Sequence, residues 1–136
     1  MLVSVLRVAS GGLDASSLLA PFPGLRMETA WRAGDPDVHG RRRTTGGFTL
    51  LIAEGEQWQP LLDDTLAILE RIRPLLDGSR KAGAVPELDL GMAVGEPQAF
   101  ARAATFSTDE LRRLLDLGVT VRVSAYPGQD VENQTP

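Results

Sequence analysis

At 136 residues, 43% hydrophobic and 24% charged, the chain suits one globular domain with a real core and is too apolar for wholesale disorder. Its formal charge of -4 argues against a general nucleic-acid or membrane-surface binder. The absence of cysteine removes disulfides, thiolate nucleophiles, thiolate zinc sites and iron–sulfur clusters together.

The opening MLVSVLRVAS is apolar but short, and Arg7 interrupts it without a basic segment ahead of it. It reads as a poor signal peptide, and no stretch approaches the ~20 apolar residues of a membrane span. The expected location is a bacterial cytoplasm, with no membrane or nucleic-acid partner. Lys81 is the only lysine among many arginines, a skew that fits codon composition better than phosphate binding.

Leu2 to Ala9 reads as a central strand, apolar on both faces apart from Ser4 and Arg7. Asp14 caps a short helix through Leu18 and Leu19, which Pro21, Pro23 and Gly24 stop. Met27, Thr29 and Trp31 alternate with Arg26, Glu28 and Arg32, as in a half-buried strand or extended arm. Gly34 to Gly47 shows no period and is expected to be a loop. Phe48, Leu50 and Ile52 then mark a second clear strand.

The longest helix follows, with Trp58, Leu61, Leu62, Leu66, Leu69 and Ile72 on one face. Pro60 fits only its first turn, so the start lies near Gln57 or Trp58; Pro74 predicts a kink or stop, and Gly78 the end. Leu88, Leu90, Met92 and Val94 define a further strand with one polar face. Gly95 to Thr105 is a connector, with a helical turn through Phe100 and Ala101.

FSTDELRRLLDLG carries the cleanest local signal. Ser107 and Glu110 suit a capping box, Phe106 a staple on Leu111, and Gly118 a left-handed C-cap. Leu111, Leu114 and Leu115 are expected to form its buried stripe. In the last strand, Val119 to Tyr126, Val119, Val121, Val123 and Ala125 face one way and Thr120, Arg122, Ser124 and Tyr126 the other. The fold class is therefore α+β. One mixed, largely antiparallel sheet of four to five strands carries two or three helices on one face. Residues 1–127 form a single domain with Leu66, Leu90 and Val121 in one core, and 128–136 a disordered tail.

Several of these motifs, taken in order, resemble the bacterial family catalogued as domain of unknown function 4279. Leu13-Asp14 through Leu18-Leu19 to Gly24-Leu25 is followed by Trp31-Arg32 and Gly34-Asp35. A glycine-led strand, a long helix and the late F-S…L-G element before the V-x-V strand come after. Where the family's strand often carries tryptophan this chain has Phe48. The resemblance implies a small α+β domain and no catalytic residues or cofactor. Proteins of this habit often act as immunity partners in bacterial competition loci, so by analogy the partner is another protein, a toxin encoded by a neighbouring gene.

Polar chemistry concentrates between Trp31 and Gly47. Trp31, Arg32, Asp35, His39, Arg41, Arg42 and Arg43, with Arg122 and Tyr126 from the last strand, are the candidate partner-binding residues. An alternative is a small-anion or nucleotide sensor using arginines 41–43 as a clamp. However, Gly46-Gly47 leads into a strand rather than the helix a phosphate loop needs. A third reading takes Asp35, Asp37 and His39 as metal ligands of a hydrolase, against which Asp-Pro-Asp is ordinary turn chemistry.

Catalysis would need His39 as base, yet no serine sits in a nucleophile-elbow pattern. Paired carboxylates among Asp63, Asp64 and Asp89 would require the long helix to bring them together. The binding reading therefore carries no catalytic residue, cofactor or metal. Edge pairing of the sheet into a homodimer belongs to the same reading.

Overall fold

In a computed structural model, residues 1–95 and 102–127 are described. The elements run β1 (Leu2–Ser10), α1 (Ala15–Leu19), β2 (Arg26–Trp31), β3 (Gly46–Gly55), α2 (Trp58–Arg71), α3 (Arg73–Lys81), β4 (Glu87–Val94), α4 (Thr108–Leu117) and β5 (Thr120–Pro127). The expected turn at Phe100 and Ala101 and the expected tail from residue 128 lie outside the described residues.

The strands form one mixed sheet in the order β2-β3-β1-β4-β5. β1 pairs antiparallel with β3 and β4, and β2 antiparallel with β3. β5 alone is parallel, beside β4, because α4 intervenes between them and returns the chain to the same end. β1 is central, as its two apolar faces require.

Leu2, Leu6 and Val8 of β1, Phe48 and Leu50 of β3, and Leu88 and Leu90 of β4 point to one side. There they meet Leu61, Leu62, Leu66 and Leu69 of α2 and Leu75 and Leu76 of α3. Each such leucine stabilises the fold by roughly 1.5–3 kcal/mol relative to leaving it exposed. The buried polar exceptions are satisfied. Ser4 and Thr65 share a hydroxyl hydrogen bond of 2.7 Å, and Thr65 donates onward to the Leu61 carbonyl.

Pro74 sits in the first turn of α3, so the long helical pattern is split at Ile72 rather than bent. Gly78 does not end that helix. It lies inside α3, where a Cβ would strike Leu18 at 2.6 Å, so it lets α1 close onto α3. The capping box of α4 forms in full, and Gly118 takes the left-handed conformation at φ 69°.

The stripe of α4 differs from expectation. Its buried residues are Glu110, Leu114 and Leu117, while Leu111 is 52% and Leu115 79% exposed. Phe106 packs against the core and meets Trp58 edge-on at 5.4 Å, and the Trp58 indole donates to the Thr105 carbonyl. Val121 also falls outside the core containing Leu66 and Leu90: it is 38% exposed and Val123 48%. β5 projects beyond the layer of helices that buries its neighbours.

Candidate functional site

The side of the sheet away from α2 is open, and aromatic rings enter it from both edge strands. Trp31, at the end of β2, lies over Gly47 of β3. A Cβ there would collide with the indole and with the Val8 carbonyl. Tyr126 of β5 lies over Gly91 of β4, where a Cβ would come within 3.2 Å of its ring and 3.0 Å of Val3. In each case the missing side chain leaves room for a ring to lie flat on the sheet.

Trp31 is then covered. The Arg7 guanidinium stacks on its ring at 4.8 Å from β1, and Arg43 at 5.0 Å from the loop. The indole N–H points to the Thr45 hydroxyl at 3.4 Å. At 8% exposure Trp31 is a floor, as the reading of β2 as a half-buried strand allows, and two arginines rather than the indole meet the surface. Arg7 was legible only as a polar interruption of an apolar strand. Its alternation with core positions 6 and 8 did place it on the open face.

The loop from Arg32 to Thr45 is more ordered than its composition suggests. Pro36 and Arg42 form a β-bridge, and the Gly34, Asp37 and Arg43 amides donate to the Arg43, Arg41 and Asp35 carbonyls across a small hairpin. Asp37 accepts from the amides of His39 and Arg41, and Asp35 from the amide of Arg32. Both carboxylates are thus spent on the turn. Among the described residues no group of three His, Cys, Asp or Glu is placed to hold a metal ion.

His39 is exposed at the hairpin tip, and its imidazole takes part in none of the side-chain hydrogen bonds among the described residues. Asp63 and Asp64 lie on the exposed side of α2. Asp89 lies on the opposite side of the sheet, where it accepts from Ser124 at 2.8 Å. The whole sheet separates these carboxylates, so they make no catalytic pair.

Arg32, Arg41 and Arg42 are exposed, Arg43 half-buried, and Arg42 donates to the Gly34 carbonyl. Ion pairs among the described residues join Arg26 to Glu54, Arg73 to Asp116, Arg80 to Asp77, Arg113 to Glu70, and the N-terminus to Glu56. None uses Arg7, Arg32, Arg41, Arg42 or Arg43. Arg122 and Tyr126 sit on the same open face but at the other edge, four strand spacings or about 19 Å away. The residues singled out from sequence therefore fall into two groups, one at each edge.

A cleft of about 660 Å³ opens between α1 and the end of β2, with Asp14, Ser16, Arg32 and Asp35 on its walls. Asp14 is held below its ordinary value chiefly by the Ser17 hydroxyl, then by the Ser17 amide. It caps α1 and leaves no free base.

On the helix side, α4 is tied to α2 by Glu70–Arg113 and Gln59–Glu110, and to the start of α3 by Arg73–Asp116. The Arg113 hydrogen bond lowers the Glu70 carboxyl and raises Arg113 in return. Glu110 is lowered first by the Ser107 amide and then by Gln59.

Comparison of the chain with protein-family models, curated proteins and solved structures returns no match. Among the described residues no helix is long and apolar enough to cross a membrane.

Proposed function

We propose that this chain is a bacterial cytoplasmic protein-binding module that occludes an acidic surface of its partner and carries out no chemistry of its own. The observation that carries this reading is the arginine cluster at the β2 edge. In a chain of net charge -4, Arg7 and Arg43 stack on Trp31 while Arg32, Arg41 and Arg42 are exposed along the adjoining loop, and none of the five forms an ion pair among the described residues. The sheet, the indole and the hairpin backbone hold two of these guanidiniums in place, which lowers the entropy lost when a carboxylate-rich surface docks. Charge complementarity of this kind favours fast association and suppresses wrong partners. Neutralisation of a toxin from an adjacent gene is the concrete form we favour, in keeping with the resemblance to the domain of unknown function 4279 family.

Pulldown from native lysate should return a stoichiometric partner with the unaltered chain and lose it with a triple Arg41→Ala, Arg42→Ala, Arg43→Ala variant. Recovery of folded protein with no partner overturns the reading. So does a nucleotide or metabolite that raises the Tm of the unaltered chain and not of that variant, since the cluster is then an anion clamp.

A further inference from the structure

We propose that the β5 edge is the interface of a symmetric homodimer, in which two copies join antiparallel through β5 to make a continuous ten-stranded sheet. This rests on the edge itself and is independent of the partner reading above.

Among the described residues β5 has a single neighbour, β4, so the sheet they form leaves the backbone groups on its outer side unpaired. Proteins usually blunt such an edge with a bulge, a charge or proline. β2 shows the first two devices: its register shifts between Met27 and Thr29, and it carries Arg26 and Glu28. β5 pairs with β4 without a shift over eight residues, and its proline, Pro127, comes last.

The side chains at this edge are apolar on the helix side. Val121 and Val123 share register with the core residues Leu88 and Leu90, so they face the helices, yet both are substantially exposed. At 100° per residue, Arg113, which bonds to Glu70 of α2, and Asp116, which bonds to Arg73 of α3, lie on one flank of α4. Leu111 and Leu115 lie on the opposite flank, turned from α2 and exposed. Strand and helix thus offer apolar groups at the same margin of the sheet.

Self-complementarity selects a second copy as the occupant. A dyad through Val123 sets Val121 against Ala125, Arg122 against Ser124 and Thr120 against Tyr126. The apolar pairs stay on the helix side in both copies. Each Arg122, which forms no ion pair among the described residues, comes beside the Ser124 that bonds the other copy's Asp89. A dyad through Arg122 would oppose like charges. One through Ser124 would draw Pro127, which lacks an N–H, into the ladder. Such an interface is isologous and closed, so it ends at two copies instead of growing into a fibre.

The chain has no cysteine, so one can be introduced without background. On the dyad, Val123→Cys faces itself at about 5 Å between Cα atoms, within disulfide reach. Thr120→Cys lies six residues from its own mate, about 20 Å away. At tens of micromolar the unaltered chain should sediment as a dimer and Val123→Lys as a folded monomer by circular dichroism. Mild oxidation should crosslink Val123→Cys and leave Thr120→Cys single. A monomeric unaltered chain overturns the proposal, as does equal crosslinking of the two cysteines. A chain that dimerises only after removal of residues 128–136 also overturns it, assigning the edge to that segment.

Discussion

The β2 edge is bulged, carries charges of both signs and runs on into a hairpin whose Arg43 covers Trp31. The β5 edge runs in regular register with Val121 and Val123 exposed, and its one ring, Tyr126, is half in water. Both edges start from the same device, an aromatic laid over a glycine of the neighbouring strand. They differ in what lies on top. At β2 the ring is roofed by two guanidiniums, so its removal opens a hole. At β5 nothing among the described residues roofs the ring or the valines, so among them one edge is finished and the other exposed.

Truncating the two rings measures that difference most directly. Trp31→Ala removes a nearly buried indole and the surface on which Arg7 and Arg43 rest, and should cost about 3–4 kcal/mol in urea denaturation. Tyr126→Ala removes a ring that is 39% exposed and makes no hydrogen bond among the described residues, and should cost less than about 1 kcal/mol. Comparable losses would mean that the guanidinium roof contributes nothing beyond area.

The glycines under the rings give the next contrast. A Cβ at Gly47 meets the Val8 carbonyl as well as the indole, and backbone cannot swing aside, so Gly47→Ala should destabilise by about 2–3 kcal/mol. At Gly91 the obstacles are Val3 Cγ1 and the Tyr126 ring, both side chains able to shift by a few tenths of an ångström. Alanine also restrains the unfolded chain there, worth roughly 0.5–1 kcal/mol, so Gly91→Ala should be near neutral. Thermal denaturation of the two variants side by side checks both signs.

Much of this fold is legible in the chain, and the reasons are local. Alternation at Phe48, Leu50 and Ile52, the split at Pro74, the Ser107–Glu110 box and the Gly118 cap each depend on residues a few positions apart. The misreadings all concern what a residue meets across space. Leu111 and Leu115 repeat at helical spacing, but the buried side of α4 is chosen by α2 and α3, which bond to Arg113 and Asp116 respectively. Val121 alternates like a core strand, yet whether a helix lies above it is decided by the width of the helical layer. Arg7 interrupts an apolar strand, and only the return of β2 two strands away makes it the cover of Trp31. The arginine run and Asp-Pro-Asp were visible as turn chemistry. Their division from Arg122 and Tyr126 by the width of the sheet was not, because strand order is not written in spacing.

Acid should separate the two regions last and most gently. α4 is held on α2 by Glu70 and Glu110, whose carboxyls lie below their ordinary 4.5 because the charged forms accept hydrogen bonds from Arg113, the Ser107 amide and Gln59. A carboxyl lowered by folding contributes stability in full above its unfolded value and loses it as pH falls through the folded one. The α4 contacts should therefore hold from neutrality to about pH 4.5 and weaken below it. The Arg7–Trp31–Arg43 stack contains no carboxyl or imidazole. The two tryptophans report on one region each: Trp58 touches Phe106 and the Thr105 carbonyl beside the α4 cap, and Trp31 lies under the arginines. In Trp31→Phe the Trp58 fluorescence should shift at a higher pH than the Trp31 fluorescence does in Trp58→Phe. Adding Glu110→Gln to the first variant should shrink that early change, since the amide oxygen can still accept from the Ser107 amide and carries no charge to titrate. Coincident transitions in both single-tryptophan chains would show instead that α4 and the arginine edge unfold as one unit.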